Sequence, residues 1–374
     1  MSGIYIHIPF CKKACHYCDF HFSTSLQNKA AIVNAICFEI ELRKDYLADK
    51  NISTLYFGGG TPSLLGSDEL KNIINAVTRH FSLDAKAEIT LEANPDDLSS
   101  SKLQELKNAG INRLSIGIQS FHDEDLILMN RTHNSEQAVK AVKEAQKARF
   151  ENISIDLIYG LPNLSNERWA QNLQKAFELE VPHLSAYNLT IEKKTALAEL
   201  VKKKKVILPP EQVSIEQFNI LTEEAQKNGF IHYEISNFCK EDMYSKHNSS
   251  YWKNAQYLGI GPSAHSYNGS SRRWNVGNNS LYLRNADKTA SWFEEEILTE
   301  EDKYNEYIMT RLRTIWGIDL GVVKKNFGED KLANLLTLSK DYISSGHILH
   351  KEENIILTQK GKLLADKIAS DLFV

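Results

Sequence analysis

Short apolar runs rich in β-branched residues alternate with longer amphipathic stretches through the first half of the chain. Runs of the first kind are typical of buried parallel strands, and apolar residues three or four positions apart indicate helices between them. We expect strands near residues 3–8, 53–57, 87–92, 113–118, 152–158 and 183–189. We expect helices near residues 27–47, 67–80, 99–109, 134–148 and 166–178. Six strand–helix units in this order predict an α/β fold, a partial (β/α)6 TIM-like barrel, because a complete barrel needs eight units.

Capping residues support the predicted helix ends. Ser67, Ser99 and Asn134 each stand at the start of an amphipathic stretch, where a side-chain oxygen can accept from a free backbone amide. Gly110 follows one of these stretches, in the position of a C-cap. The strand–helix alternation is therefore supported by local chemistry as well as by periodicity.

The pattern changes after the sixth unit. The basic run Lys202–Lys205 and the pair Pro209-Pro210 mark a break, and a mixed region follows to about residue 290. The last segment contains charged helical stretches followed by short apolar runs at 346–350 and 353–357, an order typical of a winged-helix-like unit. We predict a barrel over residues 1–205, a mixed extension over 206–290 and a small, mainly helical C-terminal domain over 291–374.

Composition narrows the class of protein. Hydrophobic residues make up 42% and charged residues 25% of the chain, values that are ordinary for a globular protein. The net charge of −4 gives no support for a nucleic-acid partner. No apolar run reaches the roughly 20 residues that a membrane span requires. We expect Lys202–Lys205 to be a solvated loop, with a peripheral contact to anionic lipid as the alternative.

Cysteine usage indicates a reducing compartment. The chain has 5 cysteines, an odd number, and no stretch that reads as a signal peptide. A disulfide framework is therefore not expected, and the cytoplasm is the predicted location.

Cys11, Cys15 and Cys18 form a C-x3-C-x2-C motif directly after the first predicted strand. Thiolates at this spacing suit an iron–sulfur cluster or zinc. A structural zinc site would need a fourth ligand, for which His16, Asp19, His21 and Cys37 are the candidates. A four-iron cluster on three cysteines would instead leave one iron open to a ligand that is not protein.

Polar residues interrupt the apolar runs where the predicted strands end. Because barrel enzymes place their working residues at this rim, and because an unpaired buried polar group is costly, a shared ligand explains these residues best. Glycines let a backbone approach a ligand closely, and an arginine fork matches a carboxylate. The residues at the ends of the strands are Cys11, Gly58–Thr61, Glu92, Gln119, Asp156, Asn188 and Thr190. Arg131, which follows the fourth strand, is the candidate arginine.

The cysteine motif resembles the signature of the radical S-adenosylmethionine (SAM) superfamily. The run Tyr5–Cys11 around it resembles the oxygen-independent coproporphyrinogen III oxidase-like family within that superfamily. The resemblance continues in order over residues 3–267, through the motifs Gly58–Pro62, Leu91–Pro95, Gly117–Phe121, Asp156–Pro162, Tyr233–Phe238, His247–Trp252 and Tyr257–Pro262. The chain is thus identified as a member, and the resemblance also implies a partial six-stranded barrel.

The resemblance implies the cofactors and their ligands. It implies a [4Fe-4S] cluster on Cys11, Cys15 and Cys18, with SAM bound to the open iron. A reduced cluster of this kind cleaves a carbon–sulfur bond of SAM, and the protein supplies orientation and the exclusion of water and oxygen. The residues implied in SAM binding are Tyr5, Gly59, Gly60, Thr61, Glu92, Gln119, Arg131 and Asp156.

The family has two branches, and three features of this chain distinguish between them. The family's dehydrogenases carry a further cysteine where this chain has Phe20. They also carry an extension before the first strand, for which a strand beginning by residue 3 leaves no room. The run His247–Trp252 matches the H-N-x-x-Y-W motif of the HemW-type heme chaperones, which implies His247 as a heme ligand. His265 or the Tyr251/Trp252 pair remains an alternative for that contact.

The resemblance therefore favours a heme chaperone that binds the cluster, SAM and heme and passes heme to an acceptor protein. An electron donor for the cluster is implied, coproporphyrinogen dehydrogenase activity is not expected, and no residue is assigned as catalytic. Productive SAM cleavage stays open. The alternatives are an oxygen-independent coproporphyrinogen III dehydrogenase and a zinc-stabilised binding protein without a redox role.

Overall fold

A computed structural model describes residues 2–285 and 292–374 of the chain. Strands and helices alternate through the first half, as predicted. The elements are β1 (Ser2–Ile8), α1 (Lys29–Leu42), β2 (Asn51–Gly59), α2 (Ser67–His80), β3 (Ser82–Ala93), α3 (Ser100–Asn108), β4 (Arg113–Gln119), α4 (Asp123–Leu128), α5 (Ser135–Lys147), β5 (Asn152–Tyr159), α6 (Asn166–Glu178) and β6 (His183–Asn188).

The second half contains shorter elements. They are α7 (Ala196–Lys202), α8 (Glu211–Lys227), β7 (Ile231–Glu234), β8 (Asn237–Cys239), α9 (Lys246–Trp252), β9 (Tyr257–Ile260), β10 (His265–Tyr267), β11 (Ser271–Asn275), α10 (Asn279–Asn285), β12 (Phe293–Ile297), α11 (Glu300–Leu312), β13 (Ile318–Asp319), α12 (Leu320–Phe327), α13 (Glu329–Ser344), β14 (Ile348–Lys351), β15 (Asn354–Leu357), α14 (Gln359–Lys362) and α15 (Ala365–Asp371). None of the described helices is both long and apolar enough to cross a bilayer.

The six predicted strands pair side by side in one parallel set, so the α/β barrel-type fold is confirmed. The sheet is larger than the pattern predicts. Over the described residues it has twelve strands, in the order β12-β11-β10-β9-β1-β2-β3-β4-β5-β6-β8-β7. The strands β7 to β11 of the predicted mixed extension, together with β12 from the segment after it, therefore lengthen the barrel sheet at both edges.

Local signals placed the helix ends correctly. The Ser99 hydroxyl accepts from the Lys102 amide, and the Asn134 side chain accepts from the Gln137 amide. Gly110 follows α3 with a φ of +95°, a conformation that glycine adopts without strain. Ser67 is the exception, because it is the first residue of α2 rather than its cap; the residue before it, a glycine, takes the cap position.

The two faces of the sheet differ in polarity. Ile4, Ile6 and Ile8 of β1 are buried in the main apolar core, which also includes residues of the outer helices. Tyr5 and His7 point to the opposite, inner face, because side chains alternate along a strand. The cavities described below lie on this inner face.

The C-terminal segment has an apolar core of its own. Tyr304, Ile308, Val323, Leu335 and Ile368 belong to it, together with residues of a three-stranded sheet in the order β13-β15-β14. Helices followed by short strands were predicted here, and the structure has that order. The domain boundaries at residues 205 and 290 remain predictions.

Candidate cofactor site

A cavity of about 470 Å3 opens at the carboxyl ends of the parallel strands. It brings together residues that are far apart in sequence but that follow successive strands. The predicted site residues that line it are Cys11, Cys15, Cys18, Gly59, Gly60, Thr61, Glu92, Gln119, Arg131 and Asp156. Asn188 and Thr190, at the end of the sixth strand, lie in the same wall.

The cysteine loop leaves β1 and folds back on itself. The Cys11 amide donates to the Ser23 carbonyl at 3.0 Å, and the Ser23 amide donates to the Pro9 carbonyl at 2.9 Å. The Thr61 hydroxyl donates to the Cys11 sulfur at 3.4 Å. Burial raises the pKa of Cys11 and raises that of Cys18 to about 11, so binding an iron cluster here would release protons.

The glycine turn after β2 lies tightly against this loop. Gly59 has a φ of +106°, and a Cβ at that position would come within 2.6 Å of the His7 ring. A Cβ on Gly60 would lie 2.6 Å from the Phe10 carbonyl oxygen and 2.9 Å from that of Ile8. Both positions therefore require glycine, and the turn presents backbone to the cavity.

Arg131 joins the cysteine loop to the strand ends. Its Nη2 donates to the Asn94 Oδ1 at 2.7 Å and to the Gly117 carbonyl at 2.6 Å. Its Nη1 donates to the Cys15 sulfur and to the Tyr17 hydroxyl, both at 3.3 Å. The buried Nε has no hydrogen-bond partner among the described residues. One donor of the fork thus remains for a ligand.

Two carboxyl groups face the cavity with raised pKa values. Burial raises the pKa of Glu92 to about 7, although the Tyr56 hydroxyl and the Gly59 amide donate to it at 2.8 and 3.1 Å. Burial raises the pKa of Asp156 to about 6, and the Ser115 hydroxyl donates to it at 3.2 Å. Both groups can accept from hydroxyl or ammonium donors of a bound ligand once they are ionised.

The donor set fits an iron–sulfur cluster with a bound organic ligand. Three thiols, two carboxyls, a glycine turn and a free arginine donor share one cavity, and cysteine sulfur is the preferred ligand of such clusters. The carboxyl groups lie on β3 and β5 and Arg131 lies on the loop between α4 and α5, and all three line the cavity together with the cysteine loop.

Three of the four candidates for a fourth zinc ligand either have another hydrogen-bond partner or lie away from the cavity. The His16 Nδ1 contacts the Leu128 carbonyl at 2.8 Å, and the His21 Nε2 contacts the Asn279 Oδ1 at 2.7 Å. Cys37 lies on α1, away from the cavity lining, whereas Asp19 is exposed and lines the same cavity as the three cysteines. Within residues 2–285 and 292–374, no three histidine, cysteine, aspartate or glutamate side chains are grouped closely enough for a single metal ion.

Tyr5 and His247 lie outside the lining of this cavity. The Tyr5 ring stacks on Tyr56 with centroids 6.0 Å apart, and Tyr5 lines a second, neighbouring cavity. His247 lies on α9, is 1% exposed and stacks on Tyr56 at 4.9 Å. Its Nδ1 contacts the Thr54 hydroxyl at 2.8 Å, and its Nε2 contacts the Tyr251 hydroxyl at 2.7 Å.

Sequence reasoning assigned no role to Asn94 or Tyr17, which hold Arg131 in place. Each of the two residues has a sequence feature that could have indicated a role at the site. Asn94 belongs to the polar rim, two residues after Glu92, and Tyr17 stands between two of the predicted cluster cysteines. Neither signal distinguishes a residue that contacts a ligand from one that positions an arginine.

Comparisons with known proteins identify the family of this chain. Residues 5–176 match the family model described as the radical SAM superfamily, and residues 298–364 match the HemN C-terminal domain. The chain is 35% identical to the heme chaperone HemW of Bacillus subtilis over 98% of both chains. It is 32% identical to the heme chaperone HemW of Mycobacterium tuberculosis, over 99% of this chain and 94% of that one.

A solved structure has the same architecture. The coproporphyrinogen III oxidase HemN of Escherichia coli, described as a radical SAM enzyme, matches with a TM-score of 0.85 and 25% sequence identity. The match covers 100% of this chain and 90% of that one. The likeness therefore includes the C-terminal segment as well as the barrel.

Proposed function

Because the chain belongs to the HemW-type branch of the radical SAM superfamily, we propose that it is a heme chaperone. It binds a [4Fe-4S] cluster, SAM and heme, and it passes the heme to an acceptor protein. The observation that carries the cofactor part is the convergence of three cysteines, a glycine turn and an arginine fork in one cavity. The heme part is supported by the named function of the relatives.

The proposed cluster ligands are Cys11, Cys15 and Cys18. The Cys15 sulfur already accepts from Arg131, and the Cys11 sulfur accepts from Thr61. Donors of this kind stabilise thiolate over thiol, and hydrogen bonds to cluster sulfurs adjust a reduction potential. The protein would thus orient its ligands before the cluster binds.

The proposed SAM contacts are the groups beyond the cysteine loop. The backbone of Gly59, Gly60 and Thr61 would approach the ligand closely, and Glu92, Gln119 and Asp156 offer oxygen acceptors for its amino and hydroxyl groups. The Arg131 Nε, which is buried without a partner, supplies the donor for its carboxylate. When bound, the cluster and SAM together supply one-electron chemistry.

Tyr5 would act on SAM only indirectly. Its ring lies behind the glycine turn, since a Cβ on Gly58 would come within 2.8 Å of it and within 3.1 Å of the Glu92 carboxyl. We propose that Tyr5 holds this turn and the Glu92 side chain in position.

A second function has one observation in its favour. The structural match to the coproporphyrinogen III oxidase of Escherichia coli favours oxidative decarboxylation of coproporphyrinogen III. In this chain Phe20 stands where that branch of the family carries a further cysteine, and its side chain is 67% exposed. The chaperone function is therefore preferred.

Two anaerobic assays on one reconstituted sample separate these functions. The protein is loaded with iron and sulfide, its iron content is measured, and reductant, SAM and coproporphyrinogen III are added. We expect no protoporphyrinogen, and we expect hemin added to a second aliquot to form a stable complex. Product formed over many turnovers would establish the dehydrogenase instead, and a protein that binds no hemin would remove the chaperone proposal.

A further inference from the structure

A second cavity, of about 570 Å3, lies beside the cofactor site. It extends over β1, β9, β10 and β11 on the inner face of the sheet. Tyr5, which lines this cavity, pairs with Tyr56 across the neighbouring strands β1 and β2, so the two side chains project from the same face of the sheet. The Tyr56 hydroxyl in turn donates to Glu92 of the first cavity. The two cavities are therefore neighbours on one face.

Flat aromatic rings form much of the wall of the second cavity. Its volume falls in the range of roughly 300–1,000 Å3 that is usual for small-molecule and cofactor sites. Large aromatic side chains with polar tips suit a planar aromatic ligand, which can stack on their faces. The rings are those of Phe20, Tyr251, Trp252, Tyr257 and Tyr267. The Trp252 indole N–H is buried and has no acceptor among the described residues.

Two histidines line this cavity, and only one of them is free to bind a metal. The His7 Nε2 contacts the His21 carbonyl at 2.9 Å, and its Nδ1 contacts the Tyr5 hydroxyl at 3.3 Å. His265 is exposed to the cavity, and no hydrogen bond to its ring nitrogens occurs in the described part of the chain. Partial burial and the neighbouring Arg272 lower the pKa of His265, which favours the neutral imidazole that iron binds.

His247, the ligand that the sequence motif implies, is placed differently. Both of its ring nitrogens are engaged, by Thr54 and Tyr251, and its side chain is almost completely buried. Coordination of iron by His247 would require at least one of these buried hydrogen bonds to break, which leaves a polar group unpaired. His265 would bind the same iron without such a cost.

We propose that this aromatic cavity is the heme site and that a ring nitrogen of His265 is an axial ligand of the heme iron. The inference rests on the proposed function, because the family supplies the class of ligand. The residues of the H-N-x-x-Y-W motif then divide their roles. Tyr251 and Trp252 form the wall of the cavity, and His247 holds Tyr251 in place from behind.

The C-terminal segment completes the site. Glu306, Met309 and Thr310 of α11 line the cavity opposite the sheet. Arg272 of β11 pairs with Glu306 and donates to the Tyr257 hydroxyl at 3.3 Å, so it ties α11 to the sheet at the cavity. The heme would therefore be held between the barrel sheet and α11, next to Phe20, which also lines the cofactor cavity.

The test is a hemin titration of the full chain, followed by its Soret band. His265→Ala should weaken hemin binding at least about tenfold, because metal-site affinity falls by such factors when a supporting group is removed. His265→Cys should retain hemin but change the spectrum from an imidazole to a thiolate type. His350→Ala, an exposed histidine on β14, is the matched control and should behave as the wild type. Free imidazole added to His265→Ala should restore the wild-type band.

Three outcomes are informative. Loss of affinity in His265→Ala together with a thiolate spectrum in His265→Cys supports the proposed ligand. Unchanged spectra and affinity in both variants, with hemin still bound, would overturn the ligand while the chaperone function stands. A wild-type protein that binds no hemin overturns both. Circular dichroism of each variant confirms that the fold is retained, as expected for an exposed side chain.

Discussion

Replacing Arg131 by alanine should affect both the stability of the apoprotein and its affinity for SAM. The Arg131 guanidinium donates to the Asn94 Oδ1 and to the Gly117 carbonyl. Removing it leaves two acceptors without these donors. An unsatisfied buried polar group costs about 1–3 kcal/mol, so we expect the loss of both donors to lower the free energy of unfolding by about 2–6 kcal/mol.

Arg131→Lys separates charge from geometry. Lysine keeps the positive charge, but one ammonium cannot donate in one plane to Asn94, Gly117 and Cys15. We expect it to recover only part of the lost stability. Arg79→Ala is the matched control, because Arg79 is exposed on α2, and its effect should stay within about 0.5 kcal/mol.

Urea unfolding of the apoproteins measures the change in stability, provided that the slope of the transition is the same in each variant. Equilibrium dialysis of reconstituted protein against SAM measures the change in SAM affinity. We expect at least a tenfold loss of affinity, about 1.4 kcal/mol, with the cluster iron retained because all three cysteines remain. Arg131→Ala with wild-type unfolding and wild-type SAM affinity would refute both the positioning and the binding role.

Three further predictions concern the same cavity. Cys15→Ala should abolish the broad visible absorbance of the reconstituted protein, whereas Cys37→Ala should keep it; full iron content in Cys15→Ala would exclude the cluster assignment. Because burial raises the pKa of Glu92 from 4.5 to about 7 in the folded state, the contribution of Glu92 to the unfolding free energy of the apoprotein should fall as pH rises between these values, by about 3 kcal/mol. Buried histidines with lowered pKa values, such as His7 and His133, contribute with the opposite sign over the same range, so the quantity to measure is the difference between the wild type and Glu92→Gln. A difference that does not change with pH would contradict the raised pKa. Gly60→Ala should destabilise the protein by about 1–3 kcal/mol, since its Cβ would press on two backbone carbonyls, while Gly277→Ala, an exposed glycine with ordinary contacts, should be tolerated; equal stability of the two would be inconsistent with the tight turn.

The barrel strands and helices could be predicted because their signals are local. The apolar runs of β1 to β6 and the periodic stretches between them depend on neighbours within a few positions, and so do the caps at Ser99 and Asn134. The predicted cluster ligands also depend on short spacing within one loop. Residues that follow successive parallel strands must meet at one rim, so Glu92 and Asp156 could be placed together from their strand positions alone.

The edges of the sheet could not be predicted in this way. Residues 257–260 pair with residues 3–6, and nothing in either short run specifies which strand it will join. The second cavity depends on that pairing, because β9, β10 and β11 form its floor beside β1.

The sequence by itself determined the six-unit barrel, the cysteine loop and the polar rim, since periodicity, spacing and strand order suffice for each. The tertiary structure decided which of these side chains remain free for a ligand. His247 and His265 carry the same imidazole group, yet packing buries the first between Thr54 and Tyr251 and leaves the second facing a cavity. That difference arises from contacts between residues about 200 positions apart, which no local pattern records.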